Sequence, residues 1–286
     1  MHSLKLTTKC AVSSTLRNPA VWFGVQSSLG KAGRWFSWLE HVRRWNLDEQ
    51  GRVEGFRSKC RSVFSDLKVL NGPFRGMTYP SMSSHGSALY PKLLGSYEGE
   101  LHGVLETMMS RNYDAIVDIG CAEGYYAVGL GRCMPQARIY AYDTNAAAVQ
   151  QCVEMARMNG VEVTTGGFCD QAVLKSLDLG KRALIISDCE GYENQLLDAN
   201  LAKALSQHDF LVETHDFIQI ESTRNVLKAL EATHDCTVID SMDDIHKAYA
   251  YNQPQLASFD LTERHWLLAE HRPAIMRWVF ASSRVG

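Results

Sequence analysis

The chain has 286 residues, with 29 Lys and Arg against 32 Asp and Glu, a formal charge of −3 and 45% hydrophobic residues. That length holds one full α/β domain plus an appendage, and so small a charge gives no electrostatic case for a nucleic-acid partner. The eight cysteines (10, 60, 121, 133, 152, 169, 189 and 236) include no Cys-x-x-Cys pair and read as the reduced, buried thiols of a cytoplasmic protein.

In chain order, the first acidic residue is Glu40, preceded only by Lys5, Lys9, Arg17, Lys31 and Arg34 among charged positions. An acid-poor start of this kind fits an organelle transit segment or a helical cap. No run approaches the roughly 18 apolar residues of a membrane span, so no membrane partner is expected. Residues 1–72 are predicted to be helical. Trp35, Trp38, Leu39, Val42 and Trp45 recur at three- and four-residue steps, and a second stripe runs Val53, Phe56, Cys60, Val63, Phe64, Leu67. Such faces need cover, from the main domain or from a second copy in a homodimer through these helices. The turn-rich Asn71–Met77 stretch marks the expected boundary between a 1–72 cap and a 73–286 domain. Leu89–Glu98 then leads into a helix whose apolar face is Tyr97, Leu101, Val104, Leu105 and Met108.

The next stretch, Ala115–Asp143, organises the rest. Ala115–Ile119 is short, β-branched and ends at Gly120, as a buried parallel strand does. Gly120 and Gly124 flank a turn of small residues, Tyr125–Cys133 continues as a helix, and a second strand, Arg138–Tyr142, ends at Asp143. An acid about 25 residues past a glycine turn suits ribose hydroxyls. Asp118 and Glu123 beside the turn would repel a pyrophosphate but suit a ligand with a cationic amino-acid end. Ala146–Asn159 reads as a helix stopped by Gly160, Val161–Thr164 as a third strand, and Ala183–Ser187 and Phe210–Asp216 as the fourth and fifth. A helix at Arg224–Ala232, a strand at Cys236–Ile239, a polar irregular stretch at Asp243–Asp260, a helix at Leu261–Glu270 and a strand at Ile275–Ala281 complete the chain. Strands alternating with helices predict an α/β fold, a doubly wound, mostly parallel seven-stranded sheet.

The run Asp118-Ile119-Gly120-Cys121-Ala122-Glu123-Gly124 resembles motif I of class I S-adenosylmethionine (SAM)-dependent methyltransferases, with Ala122 in place of the usual central glycine. The resemblance implies a Rossmann-like methyltransferase in which Asp118, Gly120, Ala122, Glu123, Gly124 and Asp143 hold SAM. It further implies that Asp170 contacts the adenine amino group and that Tyr97, Glu98 and Lys92, just before motif I, fold over the cofactor. The class's strand order brings Asp188, at the end of the fourth strand, beside Glu213 and His215 on the fifth; residues two apart in a strand share a face.

Two chemistries suit that trio. His215 or Asp188 removes a proton from a substrate hydroxyl, or Asp188, Glu213 and His215, with or without Asp216, hold Mg²⁺, Mn²⁺ or Fe²⁺. Asp188-Cys189-Glu190-Gly191-Tyr192-Glu193 followed by Glu213-Thr214-His215 resembles the FkbM-like methyltransferases, which implies O-methylation of a small-molecule acceptor such as a sugar or natural product. The resemblance covers about residues 73–220 and leaves 1–70 unmatched. An RNA or protein methyltransferase and a non-catalytic SAM-binding module remain alternatives at this point.

Overall fold

A run of five wholly buried residues, Ala115–Ile119 (β1), forms the centre of the sheet, because only a strand covered on both faces can be apolar throughout. The computed structural model describes residues 18–285, so the first 17 residues of the acid-poor start lie outside the described residues. By internal contacts the chain divides into a unit ending at Lys59 and a second unit from Cys60 onward.

Among the described residues the first unit is helical. It belongs to a single helix, Pro19–Val63 (α1), and not to two. Its aromatic residues are exposed: Trp22, Phe23, Trp35, Phe36, Trp38 and Trp45 each leave about half or more of their surface open. The unit boundary falls before the turn-rich break because Cys60, Phe64, Val69, Phe74, Met77 and Tyr79 are all buried in the second unit.

The second unit is a seven-stranded sheet in the order β3-β2-β1-β4-β5-β7-β6. After β1 come Arg138–Tyr142 (β2), Val163–Gly166 (β3), Ala183–Ser187 (β4) and Asp209–Thr214 (β5), all parallel. His234–Asp240 (β6) and Arg277–Ser283 (β7) follow, and β7 runs antiparallel to both β5 and β6. Val117, Ile185, Phe210 and Val212 belong to one buried core, to which β7, inserted between β5 and β6, adds Val279.

Leu89–Leu94 (α2) and His102–Met109 (α3) precede β1. Tyr125–Cys133 (α4) and Ala146–Asn159 (α5) follow β1 and β2. Gln171–Ser176 (α6) follows β3, and Glu193–Leu196 (α7) and Ala199–Ala204 (α8) lie between β4 and β5. Ser222–Leu230 (α9) precedes β6. The stretch expected to be irregular carries a helix, Asp244–Ala250 (α10), and a 3-10 turn, Pro254–Ser258. Its polar sequence hid the helix, because the turn of α10 that is buried contains Lys247 and Ala248 and no large apolar side chain. Leu261–Leu268 (α11) follows, opened by a reciprocal capping box between Asp260 and Glu263. None of the described helices is long and apolar enough to cross a membrane.

Candidate active site

The carboxyl ends of β1, β2, β4 and β5 open onto one cavity of about 410 Å³, where open α/β sheets take their ligands. At the turn after β1, Gly120 has φ +87°, and a Cβ there would stand 1.7 Å from the Asp188 carbonyl oxygen. The glycine is therefore what lets the ends of β1 and β4 close together. Gly120 and Cys121 both donate backbone hydrogen bonds to Tyr142 O at the end of β2, so the turn is pinned from both sides.

Asp143 accepts from the backbone N–H of Ala122 (2.9 Å) and of Asn145 (2.7 Å). Two fixed amides hold its carboxylate in the cavity wall beside Thr144 and Asn145. Asp118 also lines the cavity and accepts from Ala127 N at the start of α4 (2.9 Å). Burial, opposed by that amide and reinforced by Asp143, raises its pKa to about 7. By linkage its contribution to the stability of the free protein is greatest below its unfolded value and is lost as pH rises through about 7. A ligand ammonium placed beside it favours the ionised form and expels the proton. Affinity for S-adenosylhomocysteine is accordingly expected to increase as pH rises to about 7 and to level off above. Calorimetry in buffers of different ionisation enthalpy reads the proton release, and a flat profile would place the amino group elsewhere.

Several expected cofactor residues sit otherwise. Glu123 is wholly buried but turned from the cavity into a pair with Lys92 (2.6 Å), where it also accepts from Ser84 Oγ (2.7 Å) and His85 N (3.0 Å). It ties the 84–92 segment to motif I. Against burial, which raises it, the Lys92 ammonium and these donors leave its pKa lowered. Removing the cation with Lys92→Met is expected to cost about 3–5 kcal/mol in urea denaturation, the range for breaking a buried pair. A loss under about 1 kcal/mol would mean that the hydrogen bonds from Ser84 and His85 suffice to stabilise the carboxylate. Gly124 caps α4 with φ +92° and does not line the cavity.

Asp170 does not line the cavity either. It caps α6, accepting from Val173 N (2.8 Å), and leaves the wall to Phe168 and Cys169. Tyr97 does line it, whereas Glu98 lies behind, fully buried and bonded to Tyr126 and Arg272. Burial is the main reason its pKa rises to about 7.

At the other end Asp188, Glu213 and His215 converge as the strand order requires. Each offers one ligand atom within 4.8 Å of the others, and all three line the cavity. The alternation of β5 explains the pair, since Thr214 between them points the other way, bonding to Thr223 and to Arg277 O. Asp216 does not join them. Its carboxylate receives Thr223 N and Oγ1, and Arg277.

His215 Nδ1 faces Glu193 at 3.0 Å, and its Nε2 faces Glu190, Asp188 and Glu213 at 3.4, 3.6 and 3.8 Å. Burial alone would lower its pKa, but Glu190, Glu193 and Glu213 overcome that and raise it to about 10. The imidazole is thus held charged at neutral pH, and the proton acceptors of the cluster are its carboxylates. Asp188 is pushed well above its ordinary range by burial, then by Glu213, Glu98 and Glu190.

Two further residues at this end take roles that the sequence did not assign, although Glu193 closes the Asp188–Glu193 run. Glu193 accepts from Cys189 N and Gly191 N while pairing with His215, so it shapes the loop after β4. Arg272, beyond α11, binds Glu98 and Glu213 and reaches Glu270 at 2.8 Å. It joins three carboxylates that lie up to 174 positions away in sequence, and no periodicity or motif marks it.

A family model, the methyltransferase small domain, matches residues 102–205, from the start of α3 to just past α8. That span holds the turn after β1, Asp143 and Asp188. Residues 102–205 thus match a methyltransferase domain. The narrower FkbM-like resemblance finds no support in the comparisons, and no curated protein matches the chain. Among solved structures, the chain is similar in fold to an O-methyltransferase of tomaymycin synthesis from Streptomyces achromogenes (12% identity, 66% of this chain and 81% of that one, TM-score 0.42). A precorrin-6y C5,15-methyltransferase from Geobacter metallireducens (12%, 64% and 88%, 0.43) and a precorrin-8w decarboxylase from Methanobacterium thermoautotrophicum (14%, 63% and 89%, 0.44) are comparable.

Proposed function

We propose that the methyltransferase methylates a hydroxyl on a small molecule, a sugar or a natural product, and that Asp188, Glu213 and His215 serve the transfer. The observation that carries this reading is the convergence of those three residues at the end of the cavity that adjoins Gly120. SAM supplies the methyl group. The acceptor oxygen attacks the methyl carbon, the carbon–sulfur bond breaks with its electron pair passing to sulfur, and the hydroxyl proton passes to Asp188. Asp188 is suited to this because the same surroundings that raise its pKa make it a stronger base than an exposed carboxylate. A cationic co-substrate nearby favours its ionised form before the transfer. Holding nucleophile and methyl in line supplies much of the remaining acceleration.

At the acceptor end Glu190 and Glu213 face His215 and Arg272, so the cations there are already matched by acids and do not offer a phosphate backbone an excess of positive charge. This favours a neutral small molecule over RNA. The free cysteines among the described residues suit a reducing cytoplasm.

The close spacing of the three ligand atoms also supports a second reading, in which the trio holds Mg²⁺, Mn²⁺ or Fe²⁺ and the ion takes the place of the His215 proton. Arg272 already binds one oxygen of Glu213, leaving the other for such an ion. Calorimetric titration of S-adenosylhomocysteine after EDTA treatment, repeated with Mg²⁺ or Mn²⁺, separates the readings. Binding unchanged by metal and no metal uptake would leave the carboxylate base. Metal uptake abolished by His215→Ala would favour the ion. No ligand binding under either condition would sink both.

A further inference from the structure

The helix α1 carries eight Lys or Arg and four Asp or Glu, whereas the whole chain has a formal charge of −3. The protein is therefore electrically polar, with its excess positive charge on α1. The charge is unevenly matched along the helix as well. From residue 18 to residue 39 there is no acid, only Lys31 and Arg34.

With about 100° of rotation per residue, Val21, Trp22, Val25, Leu29, Ala32, Trp35, Phe36 and Leu39 fall within an arc of about 140°. Lys31 and Arg34 fall outside it. Apart from the half-buried Leu39, every member of this stripe is exposed, Leu29 at 65% and Phe36 at 66%. Beyond residue 40 the apolar face, Val42, Trp45, Val53 and Phe56, is rotated by about 100° from the first. The stripe thus belongs to the first 22 residues of the described chain alone, about 33 Å of helix. That segment also holds Gly24, Gly30 and Gly33, each costing about 1 kcal/mol relative to alanine in a helix. A segment so poor in helix-forming residues holds its conformation best against an apolar surface.

We propose that residues 18–39 lie on an anionic lipid surface, with the Trp22–Leu29–Phe36 face in the acyl boundary and Lys31 and Arg34 at the headgroups. Charge complementarity selects this occupant. Acid-free positive charge repels a second copy laid alongside in parallel and attracts anionic lipid. Tryptophan at the stripe's margins, Trp22 and Trp35, suits a headgroup interface. The stripe is apolar and aromatic where a nucleic-acid face would need a row of cations. The helix lies on the bilayer and does not cross it, consistent with its hydropathy.

The test is flotation of the intact protein with vesicles of phosphatidylcholine alone and of equal phosphatidylcholine and phosphatidylglycerol. The anionic vesicles should carry at least tenfold more protein, with a blue shift of tryptophan fluorescence. The double variant L29E/F36E should lose both signals, and K31E/R34E should lose at least tenfold in binding while its circular dichroism is unchanged. S-adenosylhomocysteine binding should be unaltered in both variants, so a failure here is distinct from a failure of the methyltransferase assignment. Equal flotation on both vesicles, or anionic binding that survives L29E/F36E, would overturn the proposal. A concentration-dependent oligomer that L29E/F36E dissolves, with no vesicle binding, would instead assign the face to a second copy. A shift on tRNA with no vesicle binding would assign it to nucleic acid.

Discussion

Asp143→Ala is expected to weaken S-adenosylhomocysteine binding about 100-fold, from two charge-assisted hydrogen bonds at about 1.5 kcal/mol or more each. Asp143 does two things in this fold. Its carboxylate stands at the end of β2 in the cavity wall, placed to take ribose hydroxyls. It also accepts from Ala122 N and Asn145 N, so it fixes the turn after β1 and the entry to α5 together. Asp143→Asn keeps the size and one acceptor and should lose less, about tenfold. Calorimetry on both variants, with thermal unfolding as control, distinguishes lost contacts from a collapsed turn. Unchanged affinity in Asp143→Ala would remove the cavity's co-substrate assignment.

Asp188→Asn is expected to lower methyl transfer by about 10²–10⁴-fold, the range for a positioned general base, while S-adenosylhomocysteine affinity changes little. The asparagine is isosteric and cannot accept the hydroxyl proton as a base. The backbone contact that binds β4 to the motif I turn, Asp188 N to Ile119 O at 2.9 Å, is retained. Transfer of tritiated methyl from SAM into the acceptor pool labelled by the unmodified protein gives the rate. Loss of transfer with binding retained supports the proton-acceptor role. Full transfer would reduce Asp188 to a wall residue, and a biological effect that persists without transfer would favour a SAM-binding module.

The central βαβ unit was legible in the sequence because its signals are local. A five-residue apolar run reads as a doubly covered strand, Gly120 reads as a turn, and an acid closes β2. Each depends on neighbours a few residues away, and the family match falls on the same stretch. Glu213 and His215 were legible by strand alternation, and their meeting with Asp188 by the strand order. The sequence could not show which acids in the motif face the cavity. Glu123 and Asp118 look alike in the run, yet Glu123 is claimed by a lysine 31 positions upstream, while Asp118 remains in the wall. The charge state of His215 was also decided by the tertiary structure, because Glu190 and Glu193 reach it from the loop after β4.

Residue type and local spacing determined the strands and the motif I turn, since backbone preference and burial act over a few residues, and the strand order implied by the resemblance brought the candidate trio together. Only the tertiary structure decided which carboxylates keep their protons, what Arg272 joins, and how far the stripe on α1 is exposed. Electrostatic energy depends on distance in space and on exclusion of water, and neither is written in sequence separation.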